Sequence, residues 1–166
     1  MRISHHNADS RPDLSNRYED YGWPATIVFG SDGGVCQYST DGDWDHPHFE
    51  KIMQMQAENL RTYAAAYALW HDLSYLHAAK KVRNYLQNFF TSSAGAFYAS
   101  QDADLVPGKH SAEYFKLSDS NRRKRGTPRI DQHIYSRENG WAVNALTTLY
   151  AVTDDKALLK RRNPGR

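Results

Sequence analysis

The sequence predicts a mainly α-helical fold of helical hairpins with a small β-hairpin. Apolar residues recur at three- and four-residue steps over 48–71 and again over 73–90, as on the inner face of a helix. Only a short break at His71 and Asp72 separates the two patterns, so we expect antiparallel neighbouring helices. A third helical pattern covers 140–152.

The composition favours one domain, or one domain with a fragment of another. The chain has 166 residues, of which 40% are hydrophobic, and this is enough to form a core. Its formal net charge of +2 gives no reason to expect a nucleic-acid partner. No apolar run approaches the roughly 20 residues that span a bilayer, and residues 1–20 lack the apolar stretch of a secretory signal. We therefore expect a cytoplasmic protein without a membrane partner.

The cysteine and histidine patterns give no reason to expect a metal or another cofactor. Cys36 is the single cysteine, which excludes an intramolecular disulfide and a paired-cysteine zinc or redox motif. His46 and His48 have a spacing that zinc sites use, but no third ligand follows at a diagnostic distance.

The first third of the chain has one predicted strand. Residues 25–29 are apolar and β-branched, and the turn residues 30–33 follow them, as expected for a buried strand. A strand needs a partner for its backbone groups, and no neighbouring segment supplies a convincing one. Residues 34–45 form a predicted ordered loop.

The middle of the chain predicts the small β-hairpin. Residues 96–100 form a short extended piece, Pro107 and Gly108 favour a turn, and 113–116 are the predicted partner strand.

A short polar helix follows. Ser118 is its predicted N-cap and Gly126 ends it. The basic run 122–125 lies on this helix, and we expect it to be a solvated face.

Three polar clusters carry the candidate chemistry, and two of them directly precede predicted helices. Helix N-termini favour anionic or hydroxyl-rich ligands. If the helices pack side by side, the clusters meet at one rim, where a histidine with carboxylates can perform acid–base catalysis and two carboxylates can cleave a glycosidic bond. The clusters are His46, His48, Glu50 and Lys51; Asp102 and Asp104; and Arg137, Glu138 and Asn139.

The same residues also have structural interpretations, which stay open at this point. Glu50 and Glu138, as first-turn residues, favour the helix dipole. Asp102 and Asp104 are common turn formers.

Several stretches resemble thioredoxin-domain proteins related to spermatogenesis-associated protein 20. The resemblance covers most of residues 9–160, and its most specific phrases are 46–51 and 101–104. It implies a thioredoxin-like domain followed by an (α/α) toroid similar to six-hairpin glycosidases and N-acylglucosamine 2-epimerases. Further matching stretches are 11–13, 22–24, 38–39, 44–51, 95–104 and 137–142.

The resemblance divides the chain and assigns residues. It implies that 1–33 are a remnant of the thioredoxin-like domain and that 34–166 are a partial toroid. The catalytic candidates that it places in the toroid cavity are His46, His48, Glu50, Asp102, Asp104 and Glu138. The substrate-binding candidates are Tyr38, Trp44, Lys51, Tyr98, Arg137 and Asn139.

The chain also departs from the family pattern. It lacks the paired cysteines of the thioredoxin-like part, so thiol–disulfide exchange is not expected. It contains only part of the helices of a toroid, and this predicts self-association through exposed helix faces.

The sequence predicts a carbohydrate-active protein, epimerase- or glycosidase-like, with a sugar-like small molecule as its ligand. A non-catalytic interaction module and an inactive fragment are the alternatives.

Overall fold

The computed structural model describes residues 32–39, 47–109 and 111–159, and helices predominate in this part of the chain. The predicted strand at 25–29 and the site candidates Trp44 and His46 lie outside it. The α-helices are α1 (Met53–Trp70), α2 (Leu73–Tyr85), α3 (Ala112–Phe115), α4 (Asp119–Arg125) and α5 (Ser136–Thr153). A π-helical turn, Leu86–Phe90, continues α2, and a 3-10 turn, Lys156–Leu159, follows α5. The strands are β1 (Tyr38–Ser39), β2 (Pro47–His48), β3 (Lys51–Ile52), β4 (Ser100–Gln101) and β5 (Ile130–Asp131).

Helix α1 packs against both α2 and α5, and these three helices enclose the core. Their buried side chains follow the three- and four-residue steps of the sequence pattern. None of the described helices is long and apolar enough to cross a membrane. The buried residues are Met53, Ala57, Leu60 and Ala64 of α1; Leu76, Ala79, Val82 and Tyr85 of α2; and Ala142, Ala145 and Leu149 of α5.

The predicted α1–α2 hairpin is confirmed. His71 adopts a left-handed conformation with φ 54°, and its N–H donates to the carbonyl of Tyr67, which ends α1. Asp72 then caps α2, because its side chain accepts from the N–H of Ser74 at 2.8 Å. Leu69 and Trp70 beside this turn are exposed, and self-association through such faces stays a prediction.

Two short sheets lie beside the helices. Strands β1 and β2 pair antiparallel, and β4 lies between β3 and β5 in a second antiparallel sheet. The predicted helix start at His48 is therefore wrong: residues 47–48 form β2, residues 51–52 form β3, and α1 begins at Met53. The predicted strand 113–116 is also wrong, because 112–115 form α3 and β4 pairs with β3 and β5 instead.

The short helix α4 has the predicted caps but not the predicted exposure. The Ser118 hydroxyl accepts from the N–H of Asn121, and Gly126 follows with φ 110°. The basic run was expected to be a solvated face, and for Arg122 this is wrong: its side chain is only 4% exposed.

The segment that begins at Asp32 docks tightly onto the helices. The Gln56 side chain binds both backbone groups of Val35, accepting from its N–H at 2.8 Å and donating to its carbonyl at 2.7 Å. A Cβ atom at Gly34 would lie 2.6 Å from Lys51 Cδ and 2.8 Å from the Tyr85 ring, so only glycine fits.

We expect Gly34→Ala to lower the free energy of unfolding by about 1–3 kcal/mol, because the new methyl group overlaps the buried Lys51 and Tyr85. Gly140→Ala is the matched control: Gly140 lies within α5 and a Cβ there meets nothing within 4 Å, so this change should stabilise the helix by about 1 kcal/mol. Urea denaturation of both variants measures the difference. Equal effects of the two substitutions would contradict the close packing at Gly34.

Candidate functional site

A histidine–carboxylate pair lies at the surface beside the first sheet. His48 Nε2 is 3.3 Å from Glu50 Oε2, and the two side chains are 33% and 34% exposed. The His48 ring stacks on Tyr38 with 4.8 Å between centroids, because β1 and β2 place these residues opposite each other. The pair is thus held in a fixed orientation while solvent reaches it.

The neighbouring residues Phe49 and Lys51 pack against other parts of the molecule, Phe49 half-buried and Lys51 fully buried. Phe49 stacks on Phe115 with 4.2 Å between ring centroids, and the Lys51 side chain is completely buried. Successive side chains along an extended backbone point in opposite directions, so His48 and Glu50 lie on one side and Phe49 and Lys51 on the other. His48 and Glu50 are accessible, whereas Phe49 and Lys51 anchor the segment.

Lys51 ends in a buried ion cluster. Its Nζ lies 3.4 Å from Asp32 Oδ2, and Arg122 Nη1 lies 3.3 Å from the same oxygen. The Asp32 side chain is 5% exposed. The Lys51 ammonium also lies 5.0 Å from the centroid of the Phe115 ring and 5.7 Å from that of the Tyr85 ring. The Lys51 ammonium, which was predicted to contact a substrate, is therefore already paired with Asp32.

Neutral polar groups surround this cluster. The Tyr85 hydroxyl donates to Gln101 Oε1 at 2.9 Å, and both side chains are buried. Burial raises the pKa of Tyr85 well above its usual value, and the nearby Asp32 carboxylate adds to the effect. Burial also raises the pKa of Cys36, so its thiol stays protonated at neutral pH.

The second predicted cluster lies next to the first. The register that pairs Lys51 with Gln101 puts Glu50 and Asp102 at the same end of the sheet. Asp102 also forms a turn, because its Oδ1 accepts from the N–H of Asp104 at 3.1 Å. Arg129 on the neighbouring strand segment places its Nε 4.0 Å from Asp102 Oδ2.

The third predicted cluster begins α5. Arg137 Nη2 lies 2.8 Å from Glu138 Oε1, and its guanidinium lies 5.0 Å from the ring centroid of Trp141. Asn139 binds both backbone groups of Phe97, accepting from its N–H at 2.8 Å and donating to its carbonyl at 3.0 Å. These bonds anchor α5 to the segment leading into β4, at the end away from Asp102. Tyr98, beside this anchor, is partly buried.

The structure also reveals residues that the sequence did not single out. Asp32 had the appearance of a simple turn residue between glycines, and no local signal indicates its contact with Arg122. Asp131 and His133 form a second histidine–carboxylate pair at the same two-residue spacing as His48 and Glu50, and this spacing was a usable signal. The His133 side chain is mostly exposed. Across the described ranges, no group of three His, Cys, Asp or Glu side chains is arranged to hold a metal ion.

Comparison with known proteins relates part of the chain to spermatogenesis-associated protein 20. The human protein is 38% identical over 74 residues, which are 45% of this chain and 9% of the human sequence. The mouse protein is 36% identical over 74 residues, again 45% of this chain and 9% of the mouse sequence. An uncharacterised protein of Caenorhabditis elegans is 34% identical over 82 residues, which are 48% of this chain and 11% of that protein. The chain thus spans about a tenth of the length of these relatives, and no protein-family model matches it.

Solved structures show the fold. A family 76 glycoside hydrolase from a bovine Bacteroides thetaiotaomicron strain matches 88% of the chain with a TM-score of 0.56 and 20% identity, over 28% of its own length. A family 76 α-mannanase of Bacteroides thetaiotaomicron also matches 88% of the chain, with a TM-score of 0.52 and 12% identity over 36% of its own length. Both are α/α toroid proteins, so the predicted fold class, mainly helical with a small antiparallel sheet and related to such toroids, is confirmed.

The hydrogen bond from Arg137 lowers the pKa of Glu138 below its ordinary value. A carboxyl group with a lowered pKa stabilises the folded chain above its ordinary pKa of about 4.5, and this contribution is lost as the pH falls through the lower folded value. We expect Arg137→Gln to raise the pKa of Glu138 towards the ordinary value in an NMR pH titration. An unchanged titration of Glu138 in Arg137→Gln would contradict the pairing, and Arg61→Gln on the exposed side of α1 is the control.

Proposed function

We propose that this chain binds a sugar-like small molecule at the rim formed by Tyr38, His48 and Glu50, and that the His48–Glu50 pair performs acid–base chemistry on it. The observation that carries the proposal is the 3.3 Å contact between His48 Nε2 and Glu50 Oε2 in a solvent-accessible position. The relation to carbohydrate-active toroid proteins supports a sugar as the ligand class.

The pair has the parts that proton transfer requires. A carboxylate beside one imidazole nitrogen orients the ring and selects its tautomer. With the hydrogen on Nε2 facing Glu50, Nδ1 is the basic nitrogen that accepts a proton from a sugar hydroxyl or an acidic carbon. The protonated ring then returns the proton as an acid. The stacking of His48 on Tyr38 holds the ring plane fixed during both steps.

The neighbouring carboxylate of Asp102 supports the same location. It lies at the end of the sheet that Glu50 occupies, and Arg129 stands beside it. Carboxylate and guanidinium groups are the usual hydrogen-bonding partners of sugar hydroxyls, since they accept and donate respectively. Another catalytic candidate, His46, lies outside the residues that the structure describes.

We expect His48→Ala to weaken sugar binding by tenfold or more, because the ring and its bond to Glu50 are lost together. NMR shift titrations of the full chain with a panel of neutral and acidic monosaccharides measure this, and a thermal melt of each variant verifies its fold. Where turnover is found, we expect His48→Ala to reduce it by about 10²–10⁴-fold, which is the usual range for a positioned acid–base group, and Glu50→Gln, which removes only the orienting carboxylate, to reduce it less.

His133→Ala is the matched control, since His133 also has a carboxylate partner and stacks on a tyrosine, Tyr135. It should leave sugar binding unchanged. A folded wild-type chain without saturable shifts for any sugar would contradict the proposed function. So would equal binding by the wild type and His48→Ala.

A further inference from the structure

A cleft lies between the second half of α2 and the last turns of α5. Its volume of about 280 Å³ is close to the lower end of the volumes of small-molecule sites, about 300 Å³. One wall comes from α2, and the other comes from α5 and the residues that follow it. The lining residues are Lys80, Arg83, Asn84, Leu149, Thr153 and Asp155.

The wall formed by α2 is positively charged. Lys80 and Arg83 are three residues apart, so their side chains lie on the same face of the helix. Arg83 Nη1 donates to Asn84 Oδ1 at 3.2 Å, which leaves Nη2 without an acceptor in the part of the chain that the structure describes. Lys80 forms no ion pair with any described residue. Both cations are therefore available to an anionic group in the cleft.

The opposite wall holds a negative charge in a fixed position. Asp155 Oδ1 accepts from the N–H of Ala157 at 2.9 Å, and the N–H of Asp155 donates to the Thr153 hydroxyl at 3.3 Å. Among the described residues Asp155 forms no ion pair, so neither cation of α2 reaches it across the cleft. The C-terminus of α5 adds partial negative charge, and its last turn has no basic residue. The cleft thus presents opposite charges on two walls that do not contact each other.

We propose that this cleft is a binding site for a small zwitterion, a free α-amino acid. The carboxylate of the amino acid binds between Lys80 and Arg83, and the guanidinium fork matches its two oxygens. Its ammonium group pairs with Asp155. A simple anion satisfies only the α2 wall and is repelled by Asp155, and a simple cation satisfies only the opposite wall. A zwitterion satisfies both walls with one molecule.

The cleft is separate from the proposed sugar rim. Its lining shares no residue with the rim residues Tyr38, His48 and Glu50. The two proposals therefore rest on different observations, and each can fail while the other holds.

NMR shift titrations of the full chain test the proposal at neutral pH and constant ionic strength. The ligands are the amino acids alanine and leucine, together with propionate, which lacks the ammonium group of alanine, and ethylammonium, which lacks its carboxylate. We expect saturable shifts of the α2 and α5 amides with an amino acid. Propionate and ethylammonium should bind at least about tenfold more weakly, since each lacks the charge-assisted hydrogen bonds to one wall.

Two variants and their matched controls locate the site. Lys80→Met should weaken amino-acid binding about tenfold, whereas Lys124→Met, which removes the same charge from an exposed position of α4 outside the cleft, should not. Asp155→Asn should also weaken it but strengthen propionate binding, and its side-chain oxygen still accepts from the N–H of Ala157. Asp154→Asn is its control, because Asp154 does not line the cleft and asparagine tolerates its φ of 49°.

Three results would overturn the proposal. The first is a folded wild-type chain without saturable shifts for either amino acid. The second is propionate binding as tight as that of alanine, which would identify a simple anion site. The third is equal amino-acid binding by the wild type, Lys80→Met and Asp155→Asn.

Discussion

The structure depends on one carboxylate oxygen that two buried cations share. Asp32 Oδ2 holds Lys51 of β3 and Arg122 of α4, and so joins parts of the chain that are 90 residues apart. Each buried charge would be costly alone, which makes the three elements mutually dependent. Lys51 in turn pairs with Gln101 in the sheet, so the same contact sets the position of β4 and of the polar residues at its end.

The shared oxygen also determines what the surface presents. Because Lys51 is buried and Phe49 packs on Phe115, the alternation of side chains along the backbone turns His48 and Glu50 towards solvent. Two side-chain amides complete the arrangement from the helices: Gln56 binds the backbone of Val35, and Asn139 binds that of Phe97. Buried polar contacts thus position the accessible His48–Glu50 pair, and the apolar core of α1, α2 and α5 supports them.

The sequence alone was sufficient to predict those elements whose structure depends on residues close together in the chain. Periodicity and capping residues predicted α2, α4 and α5 and the turn at His71, because each depends on neighbours within a few residues. The predicted bounds 73–90 and 140–152 were inexact, since α2 changes to a π-helical turn at Leu86 and α5 begins at Ser136. The sequence failed where two-residue strands form, since such strands show no period of their own. The early start assigned to α1 and the mistaken partner of β4 both come from pairing with distant segments. The His48–Glu50 pair was predictable from spacing, whereas the burial of Arg122 depends on Asp32 and has no local signal.

A double-mutant cycle with Asp32→Asn and Lys51→Met tests the central ion cluster most directly. Urea denaturation gives the free energy of unfolding for the four proteins, and the exposed pair Glu58 and Arg61, 2.8 Å apart on α1, provides the control cycle. We expect the buried pair to show a coupling energy of about 1.5–3 kcal/mol and the surface pair to show about 0.5 kcal/mol or less. Additive effects of Asp32→Asn and Lys51→Met would contradict the account.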